Sequence, residues 1–343
     1  MAWRVDSLTQ HVWTMGAGLL LLACPAESGS HGVMHPLLPR AAAFCLAGLL
    51  VATAASATEP LPMTEVAPGV FVHAGAIEET TPDNRGDIAN IGFVVGESAV
   101  AMIDSGGSVA VAQAALESIR QATDLPVRYL VNTHMHPDHV FGNQVFADIG
   151  ATIIGHRRLP AALSARGAFY LQSMREQLGA ELADAVTITL PDETVADERR
   201  IDLGGRTLLL KAWDTAHTDN DLTVLDEATG TLFAGDLVFM EHLPVIDGSI
   251  KGWLAQTPAL AALDARRVVP GHGPASAPWP QALSAQTAYL EALAGDLRAA
   301  IAAGVPLADA VTDAAASEAG KWQLFENFNP RNATAAFAEL EWE

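Results

Sequence analysis

The stretch that most constrains this chain is Thr133-His134-Met135-His136-Pro137-Asp138-His139, directly after the β-like run Val127 to Asn132. Side chains alternate in an extended segment, so His134 and His136 leave the strand end on one face. Pro137 disfavours a helical conformation at His136 and suits the first turn of a helix, placing Asp138 and His139 where the chain enters a helix predicted over Val140 to Asp148. A lone His-x-His pair is ordinarily a solvated turn. Four imidazole and carboxylate donors in this geometry are instead aimed at one small volume, and that donor set suits zinc.

Three later positions share the setting. His217 lies between the predicted strands Thr207 to Ala212 and Leu222 to Asp226. Asp236 ends the run Gly230 to Ala234-Gly235, and His272 ends Arg267 to Gly271. Taken singly, each reads as a structural residue. Together with the histidine run they resemble, in order and setting, the metallo-β-lactamase superfamily, whose metal loop is His-x-His-x-Asp-His. The resemblance implies one zinc on His134, His136 and His217, a second on Asp138, His139 and His272, and Asp236 bridging the two. It also implies an αββα sandwich, in which two mixed β-sheets are flanked by helices. Histidine at 136, where diiron flavoproteins of the superfamily carry Glu, favours zinc over iron.

Charge counting then predicts a reactive water. Two zinc ions carry more positive charge than Asp138 and Asp236 return, so bound water should deprotonate at a pKa of roughly 7. Such a hydroxide would attack a carbonyl-type centre in an ester, thioester, lactone or lactam, with Asp138 orienting it as the catalytic residue. Asp104, after the predicted hairpin Ile91 to Asp104, reads either as an anchor for the histidine loop or as a turn residue capping a helix. Asp221 reads either as the partner of a ligand imidazole or as a turn residue. His242 and Lys251 follow Asp236 in a segment that could overlie the metals, Trp213 could pack beside His217, and His156 reads as structural. The apolar stripe Phe169, Tyr170, Met174 and Leu178 reads as core packing, in an insertion placed where a lid could form.

Segments 215–221, 235–248 and Pro330-Arg331-Asn332-Ala333-Thr334 are similar to the quinoprotein relay system zinc metallohydrolases, exported proteins that accompany quinoprotein dehydrogenases. That similarity implies a possible association with such a dehydrogenase system and names no substrate. Two alternatives stay open: an iron-dependent persulfide dioxygenase, and a non-catalytic metal-binding accessory of a quinoprotein dehydrogenase.

The strand-rich order before residue 280 fits a sandwich of two mixed sheets covered by helices. A domain is expected over 58–280, with C-terminal helices over 281–343 packing on it. Residues 1–57 read as a leader. Met34, Arg40, the apolar segment Ala41 to Ala54 and the small-residue site Ala55-Ser56-Ala57 form an export signal, making Met34 the expected start and the periplasm the expected destination. Its apolar segment is shorter than the roughly 20 residues of a membrane span. Both cysteines, Cys24 and Cys45, precede the globular region, so no thiolate ligand or disulfide is expected there. With 40 acidic residues against 19 basic and a net charge of −21, the surface argues against nucleic acid or anionic membrane as partner. The expected partner is a small-molecule substrate.

Overall fold

The computed structural model describes residues 58–343; the leader, the Met34 start and the cleavage site lie outside them. Two mixed sheets face each other. The first runs in the order β1 (Thr64–Ala67), β2 (Val70–His73), β3 (Ile91–Val95), β4 (Val100–Ile103), β5 (Val127–Val131), β6 (Thr152–His156) and β7 (Glu193–Val195). Its first three pairings are antiparallel and its last three parallel. The second sheet comprises β8 (Glu198–Asp202), β9 (Thr207–Ala212), β10 (Leu222–Asp226), β11 (Thr231–Phe239), β12 (Arg267–His272) and β13 (Ala277–Pro278), adjacent in that order. Only its β11–β12 pairing is parallel.

The helices are α1 (Val109–Ala122), α2 (Pro137–Val140), α3 (Asn143–Asp148), α4 (Leu159–Leu178), α5 (Ala180–Asp184), α6 (Ile250–Ala261), α7 (Leu283–Ala302), α8 (Leu307–Asp313) and α9 (Phe325–Leu340). Strands buried on both faces read as continuous apolar runs, and Val-Ala-Met-Ile of β4 is one. Ala101 and Ile103 point between the sheets, where they meet Leu208, Val224 and Phe233. Val100 and Met102 point the other way, onto Val111, Ile119 and Phe146 of α1 and α3. On the far side, Leu232, Ala234 and Val268 pack against Trp253, Leu293 and Phe337 of α6, α7 and α9. The result is a four-layer αββα sandwich, as the sequence implied, with α7 and α9 sharing the core of the second sheet.

Three expectations change in detail. Val66 to His73, a run that reads as one opening strand, belongs to two paired strands, β1 and β2, separated at Gly69 with φ of 70°. The helix predicted over Val140 to Asp148 is interrupted at Gly142, where a Cβ would collide with Ser105 O and Ala112. Thr187 to Leu190, whose alternating pattern reads as a strand, forms none; the chain joins the first sheet later, at β7.

Candidate metal centre

The candidate residues converge where β4, β5 and β12 end. His136 takes the extended conformation that Pro137 favours, with ψ of 148°, and caps α2. His134 and His136 come from the β5 end, Asp138 and His139 from α2, His217 from the β9–β10 loop, and His272 closes β12. Asp236 lies within β11, which continues to Phe239, rather than at its end. Glycine at 271 is required by this packing, because a Cβ there would collide with Asp236 Oδ1.

Two donor groups result: His134, His136, His217 and Asp236 in one, and Asp138, His139 and His272 in the other, the donor atoms of each lying within 4.8 Å of one another. Asp236 stands between them. Its Oδ2 lies 3.4 Å from Nε2 of both His217 and His272 and 3.7 Å from His134 Nε2, while Oδ1 is 3.1 Å from His139 Nε2. Asp138 Oδ2 is 3.4 Å from His272 Nε2.

The outer nitrogen of every imidazole is engaged. His139 Nδ1 donates to Asp104 Oδ2 at 2.8 Å, His217 Nδ1 to Val245 O at 2.7 Å, and His272 Nδ1 to Ile88 O at 2.9 Å. His136 Nε2 donates to Asp247 Oδ2 at 3.1 Å. Thr133 Oγ1 donates to Asp104 Oδ2, so it accepts from His134 Nδ1 at 3.0 Å. These bonds occupy the outer nitrogens and leave one nitrogen per ring facing inward, the arrangement metal-binding histidines require, with His217 Nε2 and His136 Nδ1 3.0 Å apart. His134 Nε2, His139 Nε2 and Asp236 Oδ1 are buried without a hydrogen-bond partner, a costly condition that a cation would relieve. The side chains therefore fit a pair of divalent metals.

Electrostatics agree. Burial pushes His217 down to about 3 and His134 well below its ordinary value, so both rings are neutral. Burial also opposes charge on His272 and His139, but the Asp236 and Asp138 carboxylates lift His272 to about 9 and raise His139. The carboxylate pair draws positive charge into the cluster.

Other sequence candidates part company here. Asp104 does anchor the loop: besides His139 it accepts from Thr133 N at 2.8 Å, and φ of 57° places it in a left-handed conformation that Asp tolerates. Among the described residues Asp221 hydrogen-bonds to no imidazole. It accepts from the backbone N and hydroxyl of Thr218, and burial raises its carboxyl to about 8. Lys251 lies in α6 and does not line the cavity above the cluster, whereas His242 does. The tryptophan beside His217 is Trp253, with ring centroids 5.5 Å apart, while Trp213 donates to Thr223. His156 is buried and accepts from Arg158 N. Asp247, within segment 235–248 but not singled out there, holds His136 from 111 residues away.

A cavity of about 550 Å³ opens over the cluster. Asp138, Asp236 and His272 contribute to its lining, with Phe169, Tyr170 and Met174 of α4 forming an apolar wall. The α4 stripe is thus divided. Leu163 and Leu178 pack with Met135 and Phe141, whereas Phe169 is 67% exposed. Arg166 reaches Asp247 Oδ2 at 2.5 Å from the same helix.

Residues 84–272, more than half of the 343-residue chain, match the metallo-beta-lactamase superfamily. The chain belongs to that superfamily. Among curated proteins, this member is 26% identical over 160 residues to the Beta-lactamase-like protein 2 homolog of Caenorhabditis elegans. It is 28% identical over 138 residues to the uncharacterized protein YobT of Bacillus subtilis (strain 168). The matches take in 47% and 40% of this chain and 47% and 56% of those proteins, so the chain spans about half the length of the curated relatives it matches. Among solved structures, the metallo-beta-lactamase from Pontibacter korlensis aligns with a TM-score of 0.54 at 21% identity, over 67% of this chain and 99% of that one. TMB-1 aligns with a TM-score of 0.53 at 18% identity, over 68% and 97%. At these identities the likeness is one of fold. Helices α7 to α9 follow the matched residues.

Proposed function

We propose that this superfamily member is a dinuclear zinc hydrolase, exported to the periplasm and active on a small carbonyl-type substrate, in association with a quinoprotein dehydrogenase system. The observation that carries the reading is the pair of donor groups meeting at Asp236, with every outer imidazole nitrogen already engaged. Nitrogen and carboxylate donors without a thiolate suit zinc. When bound, zinc supplies Lewis-acid polarisation and activation of water. Asp138 borders the cavity with a carboxylate held well below its ordinary range: burial opposes this, but His139 and His272 outweigh it. It is therefore ionised and able to orient a water proton. The α4 wall excludes solvent from one side of the substrate, and the cavity suits a small molecule.

Export rests on the Met34 leader and its Ala55-Ser56-Ala57 site, and the dehydrogenase link rests on segments 215–221, 235–248 and 330–334. Mass spectrometry of periplasmic protein tests the first, with an N-terminus near Thr58 expected; an abundant form retaining residues 1–33 contradicts it. Activity is tested with a panel of esters, thioesters, lactones and β-lactams on zinc-loaded protein. Turnover of at least one class is expected, abolished in His217→Ala. Absence of turnover across the panel favours a metal-binding accessory.

A further inference from the structure

Helix α9 reaches the candidate metal centre through Arg331, whose guanidinium lies 3.7 Å from Asp247 Oδ1, and through the fully buried Asn332. Its Nδ2 donates to Pro244 O at 2.6 Å and to the Tyr289 hydroxyl at 2.9 Å, and its Oδ1 accepts from Ile246 N at 3.0 Å. Asn332 thus grips alternate residues of the segment 244–247. The residues between and after those grips hold the imidazoles: Val245 O accepts from His217 Nδ1, and Asp247 Oδ2 accepts from His136 Nε2. Asp247 N also donates to His217 O at 3.1 Å. Among the described residues, no other side chain hydrogen-bonds to the main chain of 244 or 246.

A donor and an acceptor in one plane are what this grip needs, and the Asn amide offers both at that length without a charge. Without them the segment loses its register, and the two histidines lose the carbonyl and carboxylate that occupy their outer nitrogens. The residue lies sixty positions beyond His272, where the family match ends. The C-terminal helices therefore contribute to the centre as well as to the core.

We infer that Asn332 is a positioning residue: by fixing the 244–247 segment it orients His136 and His217 and so sets how tightly the His134, His136, His217 and Asp236 group takes a divalent metal. The identity of that metal rests on the zinc reading above; the positioning does not.

The test compares full-chain Asn332→Ala with Asn329→Ala, a control in the same helix. Asn329 bonds Ala314 O and the Tyr289 hydroxyl but not the segment. Zinc affinity is measured by competition with a chromophoric chelator, and the His217 Nδ1–H and His136 Nε2–H signals are followed by ¹H–¹⁵N NMR in metal-free protein. Asn332→Ala is expected to weaken zinc binding about 10-fold or more, the usual cost of losing a partner that orients a ligand, and to erase both ring N–H signals. Asn329→Ala is expected to lower the melting temperature while keeping affinity and signals. Unchanged affinity and persistent signals in Asn332→Ala overturn the inference, as does an equal loss in Asn329→Ala, which would mark generic packing. If Asn332→Ala does not fold, Asn332→Ser, too short to span both peptides, replaces it with the same expectations. A wild-type chain that takes up no zinc refutes the zinc reading, and the NMR comparison still decides the positioning.

Discussion

At the scale of single residues, the metal-facing side chains divide by what else they do. Asp138 has 14% of its side chain exposed toward the cavity, while His139 is fully buried behind it. Asp138→Asn keeps size and removes charge. With both metal sites saturated, turnover is expected to fall on the order of 10²-fold, the cost of misplacing a nucleophile by about 1 Å. Full recovery of the wild-type rate on zinc addition would show that Asp138 is a ligand only. Asp104 acts from behind, accepting from Thr133 and His139. Asp104→Asn turns one acceptor into a donor facing other donors. Zinc affinity is expected to drop between about 10- and 100-fold, read by chelator competition, with a lower melting temperature. Retained affinity would refute the anchoring role. The inward donors were legible because they fall in a run or beside small residues in or close to a strand. Their partners were less so: Asp247 and Val245 meet His136 and His217 only through the fold, and of the two roles open to Asp221 the turn is the one it takes, its carboxylate bonded to Thr218.

Among the elements, α4 has the least predetermined role. Leu163 and Leu178 bury against the histidine loop, while Phe169 stands exposed at the cavity. Phe169→Ala is therefore expected to leave the melting temperature nearly unchanged and to raise KM several-fold on any substrate found. A large loss of stability with unchanged KM would place Phe169 in the core instead. Periodicity alone could not separate these roles, because both halves of the stripe are apolar. Strands were read best where both faces are buried or where turns flank them closely: β9, β10 and β12 occupy the predicted ranges. The predicted strand at 187–190 failed because apolar alternation does not supply a neighbour. The chain pairs with β6 only from Glu193, after Asp192 has bonded Ile153. Gly142 interrupts the expected helix for a tertiary reason, close approach to Ser105 and Ala112, that no local pattern carries.

Across the whole molecule, acidity and a cation-seeking centre act together. Outside the donor groups, His73 donates from both ring nitrogens, to Asp87 at 2.8 Å and to Pro62 O at 3.0 Å, which requires the protonated ring. Burial opposes that charge, but Asp87 outweighs it and raises His73 above its ordinary 6.5. The stabilisation is fully present below 6.5 and is lost as pH rises through the raised folded value. In urea titrations of zinc-loaded protein, His73→Gln is expected to cost about 1 kcal/mol more at about pH 6 than at about pH 9. Equal costs at both would refute the charged pair. The four layers followed from the sequence, whereas the hold of α9 on the 244–247 segment depends on contacts between distant parts of the chain. The most direct measurement is metal content per chain of protein purified without added metal, by elemental analysis. Two zinc ions per chain are expected; one tightly bound iron with no zinc would contradict the dinuclear zinc centre and favour the dioxygenase alternative.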